Sequence, residues 1–256
     1  MTLKCPDLLN YLNQLLSPHD FEDYAPNGLQ IEGKSEIRRI AFAVSATQDS
    51  LRKAREFKAD AIIVHHGIFW KYQSARPVTG AWGERVKLCV KEDMNLIAYH
   101  LPLDAHLEIG NAASLAKLMG LHDLKPFALQ KRQPLGVKGH FSGPLKAREL
   151  KEKLKTLLKH EIILATPDED SLITSMGIVT GGANNEWARA LEDGLDAYLT
   201  GEISEYNWHD AIEGGIHYFA GGHHATERFG IMALMNKIKL QWPDLEVEFF
   251  DSENPA

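Results

Sequence analysis

One order of segments occurs twice in this chain: an apolar strand-like run, a helical run, a second strand-like run, a second helical run and a third strand-like run. The first copy covers residues 40–99 and the second covers residues 176–220. Asp60 and Asp196 fall at the same place in the two copies, beside the start of the middle strand. Strands separated by helices pair in parallel through right-handed crossovers. The pattern therefore predicts an α/β fold of duplicated strand-helix-strand units with mostly parallel sheets.

The segment between the two copies has a different character. Residues 125–170 include a predicted helix over residues 145–160, with a stripe of leucines and several lysines and arginines. We interpret this segment as an inserted subdomain of a single domain, residues 1–256, whose pseudo-repeat halves cover about 1–124 and 171–256. The basic side chains are expected to form a solvated face, and a nucleic-acid surface is the alternative.

Residues that can bind a metal follow the predicted strands of the first copy. His65 and His66 follow the middle strand, and His100 follows the third strand with Asp104 four residues later. Ligands bind at the carboxyl ends of parallel strands. We therefore expect these side chains to lie at one edge of a sheet.

The second copy ends in a similar way. Glu202 follows its middle strand, and His223 and Glu227 follow its third strand. Gly221 and Gly222 let the backbone turn sharply before the next helix. Because His223 and Glu227 stand four residues apart, they can share one face of that helix.

Composition and charge restrict the class of protein. Of the 256 residues, 44% are hydrophobic and 25% are charged, as in an ordinary globular protein. The net charge of −7 provides no overall positive field for nucleic acid or an anionic membrane. Cys5 and Cys89 lack CxxC spacing, which favours a reducing compartment and argues against a thiolate zinc site. Residues 1–16 have the pattern of an amphipathic helix rather than a signal peptide, and no apolar run could span a bilayer, so we expect a cytoplasmic protein.

The histidines are unevenly distributed. Six of the twelve lie in three short stretches, at residues 65–66, 100–106 and 223–224. A lone histidine after a strand is usually a hydrogen-bonded structural residue, whereas three such groups, two with a carboxylate four residues on, favour metal binding. Imidazoles bind zinc, iron, manganese or nickel, and a carboxylate can bridge two ions. More ligand candidates are present than one ion needs, which predicts a site for two divalent ions, as in many hydrolases.

Two loops allow more than one interpretation. Residues 24–30 form either a simple connection into a strand or a loop that lines the site. Residues 181–184, between a strand and a helix, form either a tight turn or a phosphate site at the helix N-terminus.

Several spaced motifs carry a family resemblance. The chain resembles the YbgI branch of the Nif-three-like proteins, which are also labelled GTP cyclohydrolase I type 2 homologues or dinuclear metal centre proteins. The resemblance extends from about Tyr24 to the end of the sequence, with no motif in residues 125–170. The runs that carry it are DYAPNGLQ from Asp23, VHHGIFWK from Val64, HLPLDAH from His100, TGEISE from Thr200 and GHHATER from Gly222.

The resemblance implies a Nif-three-like fold and a site for two divalent ions. The ligands that it implies are His65, His66, Asp104, His223 and Glu227, with Glu227 bridging the ions. Weaker candidates for catalytic or supporting roles around the ligands are His100, His224, Glu202 and His106.

The resemblance also implies an assembly and an activity. The assembly is a toroidal homohexamer with sites facing an internal cavity. The activity is that of a metal-dependent hydrolase acting on a nucleotide or a related small molecule, such as GTP. The alternative is a metal-stabilised, ring-shaped scaffold or binding protein linked to transcription or DNA maintenance. The acidic balance of the chain counts against tight binding of a nucleic-acid backbone.

Overall fold

The computed structural model describes residues 2–131 and 133–256, in which strands and helices alternate along most of the chain. In chain order the elements are β1 (Leu3–Lys4), α1 (Cys5–Leu16), β2 (Gly28–Ile31), β3 (Glu36–Ile37), β4 (Arg39–Ser45), α2 (Gln48–Glu56), β5 (Ala61–His66), α3 (Gly80–Lys91), β6 (Asn95–Ala98), α4 (Leu101–Asp104), α5 (Asn111–Met119), β7 (Leu121–Gln130), β8 (Gln133–Lys146), α6 (Ala147–Leu158), β9 (Ile163–Ala165), β10 (Leu172–Ile178), α7 (Trp187–Glu192), β11 (Ala197–Thr200), α8 (Glu205–Gly214), β12 (His217–Ala220), α9 (His223–Thr226), α10 (Arg228–Gln241) and β13 (Glu246–Phe249). Short 3-10 helices cover Pro18–Asp20 and Lys71–Gln73.

The chain divides into two compact units. The first contains the chain up to Leu103 together with Ile231–Glu253, and the second contains Asp104–Gly230 and Asn254–Ala256. The compact units and the pseudo-repeat halves divide the chain at different places. The first unit ends within the HLPLDAH run, whereas the first pseudo-repeat half extends to about residue 124.

The first unit is built on a five-stranded sheet with the order β13-β4-β5-β6-β2. The first four strands of that order are parallel, and β2 is antiparallel to β6. The buried strands are nearly continuous apolar runs, as expected where both faces of a parallel sheet are covered. Helix α1 confirms the expected amphipathic helix and buries Leu8, Leu12 and Leu16 on one face, while Met1 lies outside the described residues.

The second unit is built on a six-stranded sheet with the order β7-β8-β10-β11-β12-β9. Its centre, β10 to β12, is parallel, whereas β8 and β9 pair antiparallel on either side and β7 pairs antiparallel with β8. The segment interpreted as an inserted subdomain thus supplies most of β7, all of β8 and β9, and α6. Helix α6 buries Ala147, Leu150, Leu154 and Leu158 on its apolar face.

The duplicated pattern is present as two three-stranded parallel cores, β4-β5-β6 and β10-β11-β12. Asp60 accepts hydrogen bonds from the backbone N–H groups of Arg38 and Arg39, at 2.8 and 3.0 Å. Asp196 accepts from those of Thr174 and Ser175, at 2.7 and 2.8 Å. The two aspartates therefore have the same role, because each carboxylate anchors the start of the neighbouring strand. The predicted α/β fold with parallel strands is confirmed.

The lengths and polarity of the helices differ from those of membrane spans. Over residues 2–131 and 133–256, every helix is too short or too polar to cross a membrane.

Candidate metal centre

His65 and His66 are the last two residues of β5, so the strand itself holds both of their backbones. His65 is fully buried, and its Nδ1 lies 3.1 Å from the carbonyl oxygen of Tyr99. A carbonyl oxygen can only accept, so Nδ1 carries the proton and Nε2 is the nitrogen able to bind a metal. The Nδ1 of His66 is 3.0 Å from the hydroxyl of Ser45, the residue opposite it in β4.

His100 lies between β6 and α4, where its ring is held by the loop that precedes β2. Its Nδ1 is 2.7 Å from Oδ1 of Asp23, and its backbone N–H donates to Oδ1 of Asn27 at 2.8 Å. Burial raises the pKa of Asp23, but hydrogen bonds from His100, Asn27 and the N–H of Leu101 outweigh that effect and lower it to about 2. Asp23 is therefore ionised at neutral pH and directs Nε2 of His100 away from the loop. Of the two interpretations of residues 24–30, this favours a loop that lines the site.

The three imidazoles of the first unit form one group. Each ring offers a nitrogen within 4.8 Å of the nitrogens offered by the other two. The ring centroids are 4.6 Å apart for His65 and His66, 5.0 Å for His65 and His100, and 5.5 Å for His66 and His100. Three imidazoles are sufficient to hold one divalent ion. The structure thus brings His100, a weaker sequence candidate, into the same group as two implied ligands.

In the second unit, His223 is the first residue of α9 and Glu227 directly follows the helix. His223 Nε2 is 3.3 Å from Oε1 of Glu227, and its Nδ1 is 2.5 Å from Oε1 of Glu202. Burial lowers the pKa of His223, but the two carboxylates outweigh this and raise it to about 9. The ring is therefore fixed from one side by Glu202 and faces Glu227 with its other nitrogen.

Asp104 provides a second buried carboxylate in this unit. It is 8% exposed, and its Oδ1 accepts hydrogen bonds from the Asn111 amide at 2.8 Å and the Thr180 hydroxyl at 3.4 Å. Glu227 is only 3% exposed. Its carboxylate lies within 4.8 Å of a carboxylate oxygen of Asp104 and within 4.8 Å of a ring nitrogen of His223. Glu227 is thus the common member of two pairs of potential ligands.

Two glycines allow the backbone to approach these side chains. Gly181 has φ +70°, and a Cβ there would lie closer to Oε1 of Glu227 than any van der Waals contact allows. A Cβ at Gly201 would lie 2.6 Å from the Cα of His223. The loop over residues 181–184 therefore packs against the carboxylates, which favours the tight turn and counts against a phosphate site there.

The remaining sequence candidates have different surroundings. His106 Nδ1 accepts the backbone N–H groups of Glu108 and Ile109, at 3.1 and 3.3 Å, so this ring caps a turn. His224 is buried, and its backbone N–H donates to the carbonyl oxygen of Ala256 at 3.0 Å. Within the described residues, the groups of side chains close enough to share an ion include neither of these histidines, nor Glu202.

Four supporting residues were not identified from the sequence as site residues: Asp23, Ser45, Asn111 and Thr180. Asp23 is the first residue of the DYAPNGLQ run, so its position in a motif was an available signal. Ser45 lies opposite His66 through the register of β4 and β5, which the sequence pattern does not give. Asn111 and Thr180 lie outside the motifs, and only the folded chain brings them to Asp104.

Known proteins resemble this chain over almost its full length. A Pasteurella multocida (strain Pm70) protein named GTP cyclohydrolase 1 type 2 homolog is 43% identical, covering 98% of this chain and 98% of that protein. A solved structure of protein ybgI, described as of unknown function, is 39% identical with a TM-score of 0.91, covering 99% of this chain and 100% of that one. A crystal structure of a Thermus thermophilus protein is 32% identical with a TM-score of 0.88, covering 99% of this chain and 100% of that one.

The family comparison agrees with these similarities. The family model described as Duf34/NIF3 (NGG1p interacting factor 3) matches residues 3–255. The motif runs that carry the resemblance all lie within the matched residues. The chain therefore belongs to the Duf34/NIF3 family.

Proposed function

We propose that this protein is a metal-dependent hydrolase with a dinuclear centre, acting on a nucleotide or a related small molecule. The observation that carries the proposal is the pair of buried carboxylates in the second unit, Asp104 and Glu227, with oxygens within 4.8 Å of each other. Two negative charges this close and this poorly solvated repel each other strongly. The protonated His223 beside Glu227 compensates only one of them in the metal-free protein, so a divalent cation is favoured. The imidazole of His223 beside Glu227 completes a mixed nitrogen and oxygen donor set suited to zinc, iron, manganese or nickel.

The dinuclear assignment combines this set with the three imidazoles of the first unit. We assign His65, His66, Asp104, His223 and Glu227 as ligands, with Glu227 bridging, and add His100 as a sixth candidate. The hydrogen bonds to the Nδ1 atoms of His65, His100 and His223 support the assignment, since second partners of this kind orient metal-binding imidazoles in proteins. Two divalent ions held by these residues would lower the pKa of a bound water and would stabilise negative charge on the substrate.

The protein's own groups have separate tasks in this proposal. Asp23 and Glu202 hold their imidazoles in one orientation. Each accepts a hydrogen bond from Nδ1, which leaves Nε2 as the nitrogen that binds a metal. Glu202 is about half exposed, unlike the buried Glu227. It is therefore the group placed to pass a proton between the site and solvent, which is the task of a general acid or base.

The substrate class rests on similarity rather than on contacts. The Pasteurella multocida relative is named GTP cyclohydrolase 1 type 2 homolog. We extend that name to this chain only as far as a nucleotide or a related small molecule. We also propose a ring-shaped homohexamer, on the family resemblance alone, and light scattering of the purified protein tests it.

The experiment compares Glu227→Gln with Glu213→Gln, the same chemical change at an exposed position of α8. Each protein is loaded with Zn²⁺, Mn²⁺, Fe²⁺ or Ni²⁺, its metal content is measured, and it is incubated with GTP, other nucleotides and phosphoesters. We expect turnover in the wild type and in Glu213→Gln, and loss of turnover in Glu227→Gln together with about one ion per chain. Equal turnover in all three proteins would identify a contaminant.

The scaffold alternative gives a different result in the same experiment. A scaffold that uses metal only for stability would bind about two ions per chain and turn over no compound with any metal, and Glu227→Gln would lower its thermal stability. Failure to retain any added metal would refute the metal centre itself.

A further inference from the structure

The first unit contains a cavity of about 380 Å³ next to the VHHGIFWK run. This volume lies in the range of small-molecule sites in proteins. Its apolar lining comes from Pro26, Ile68, Phe69, Trp70 and Trp82. Trp82 belongs to the apolar core of this unit and Phe69 packs against that core, so the lining is continuous with the folded interior.

The aromatic walls are held in place by the fold. Trp82 is 7% exposed, and its Nε1 donates to the carbonyl oxygen of Ile68 at 2.9 Å. Phe69 packs edge-on against Trp82, with ring centroids 5.9 Å apart. Two of the walls are therefore rigid in the folded protein.

Trp70 connects the cavity to the imidazole group. Its ring centroid lies 5.8 Å from that of His66 and 5.2 Å from that of His100, the latter in an edge-on arrangement. A molecule in the cavity that contacts Trp70 is therefore separated from the imidazoles of His66 and His100 only by the Trp70 ring.

The charged lining is positive. Lys71 and Arg76 both line the cavity, and among its described lining residues there is no carboxylate. Arg76 lies over the Trp82 ring, 5.4 Å from its centroid, and its Nη1 donates to the neutral side chain of Gln73 at 3.2 Å. Lys71 donates to the backbone carbonyl of Asp23 at 2.5 Å. Both cations thus have neutral partners and keep their positive charge available to a ligand.

We propose that this cavity binds the planar ring of an anionic aromatic or heteroaromatic compound, with the ring against Trp70 and the anionic group near Arg76. Rings stack on aromatic side chains, and a guanidinium binds phosphate or carboxylate with paired N–H donors. The inference rests on the proposed function, because it gives the hydrolase a subsite that places an aromatic substrate beside the metal centre. A nucleotide and an aromatic carboxylate share this chemistry, and the experiment uses probes that separate the ring from the charge.

Binding is measured by calorimetry on the metal-loaded protein with guanosine 5′-monophosphate, guanosine and ribose 5-phosphate. The variants are Trp70→Leu and Arg76→Gln. Their matched controls are Trp208→Leu, an exposed tryptophan of α8, and Arg38→Gln, an exposed arginine before β4. Metal content is determined for every protein, because Trp70 lies against His66 and His100.

The three probes have distinct expected results. Guanosine 5′-monophosphate binds the wild type at least about fivefold more tightly than ribose 5-phosphate, the lower end of what stacking on one aromatic side chain supplies. It also binds more tightly than guanosine, because only the nucleotide carries an anionic group for Arg76. Arg76→Gln lowers the affinity for guanosine 5′-monophosphate to that for guanosine and leaves the affinity for guanosine unchanged. Trp70→Leu weakens both guanosine compounds by a similar factor, and the controls change nothing. If Trp70→Leu also loses metal, the Arg76→Gln titration decides alone.

Two results would overturn the proposal: no binding of guanosine 5′-monophosphate, or equal affinity in the wild type and Arg76→Gln. Because binding is measured without turnover, the two proposals fail separately. If the protein binds the probe but hydrolyses nothing, the cavity proposal stands and the hydrolase proposal is refuted. If both variants hydrolyse the substrate with an unchanged KM, the hydrolase proposal stands and the cavity proposal is refuted.

Discussion

Glu202 Oε1 lies 2.5 Å from Nδ1 of His223, which makes the loop after β11 the support for the imidazole of α9. A carboxylate at this distance keeps the proton on Nδ1 and orients Nε2 toward Glu227. Partners of this kind typically contribute 10–100-fold to metal affinity. We therefore expect Glu202→Gln to weaken binding of the more loosely held ion by about 10–100-fold, measured by competition with a chelator.

The control for this change is Glu205→Gln, a similar substitution at an exposed position of α8. It should leave metal affinity unchanged. Equal affinities in the wild type and Glu202→Gln would show that the hydrogen bond to His223 has no role in metal binding.

Gly181 and Gly194 form a matched pair for testing the close approach of the backbone to Glu227. Both have left-handed φ values, +70° and +68°, but a Cβ at Gly194 meets no atom within 4 Å. Gly194→Ala should cost about 1–2 kcal/mol of unfolding free energy, the ordinary cost of this backbone conformation. Gly181→Ala should cost more and also lower the metal content, because its Cβ displaces the carboxylate. Denaturant unfolding and metal analysis of both variants test this, and equal losses in the two would contradict it.

Asp196 provides a test in acid. Burial raises the pKa of this carboxyl, but hydrogen bonds from Thr174 and Ser175 outweigh burial and lower it below the ordinary value of 3.8. The folded state thus favours the ionised form, so the stabilisation is present above the ordinary pKa and is lost as the pH falls through the lower folded value. Asp196→Asn should reduce the unfolding free energy by about 1–3 kcal/mol at pH 7.

The difference between wild type and Asp196→Asn should shrink as the pH falls below the ordinary pKa of 3.8. Urea unfolding over this pH range measures it. Asp210→Asn, at an exposed position of α8, is the control and should have little effect at any pH. A constant difference across the range would mean that the carboxylate charge contributes nothing.

His223 links metal binding to pH. Because its pKa is raised to about 9, the ring carries two protons at pH 7 in the metal-free protein. A metal that binds Nε2 displaces one of them, so affinity should rise with pH until about 9 and each chain should release about one proton at pH 7. Calorimetric titrations in buffers of different ionisation enthalpy count that proton. His209→Gln, at an exposed position of α8, should release the same number, and a release of none would contradict the protonated state of His223.

The sequence was sufficient for the parts of the fold that repeat. The alternation of strands and helices predicted both parallel cores, and the matching Asp60 and Asp196 occupy equivalent positions in them. The polar ends of β5 and β6 came together as expected, because neighbouring parallel strands end at the same edge of a sheet.

Other parts could not be read from local patterns. The strands β7 and β8 form a hairpin that joins the second sheet antiparallel through β10, a pairing that the interpretation of residues 125–170 as an inserted subdomain does not specify. The pairing of β8 with β10 joins segments that are distant in the sequence, and such pairing depends on tertiary packing rather than on local propensity. The same reason applies to Asn111 and Thr180, whose contacts with Asp104 arise only after folding. The hydrogen bond that holds His100 links it to Asp23, 77 positions away, so the sequence pattern does not show how this ring is oriented.

The position of Glu227 between Asp104 and His223 has a consequence for how the protein fills with metal. One carboxylate cannot give its full negative charge to two ions, so on the proposed assignment the second ion meets a weaker attraction and the repulsion of the first. On that assignment the two ions are therefore not equivalent. A limiting supply of metal should produce chains that each hold one ion, rather than a mixture of full and empty chains.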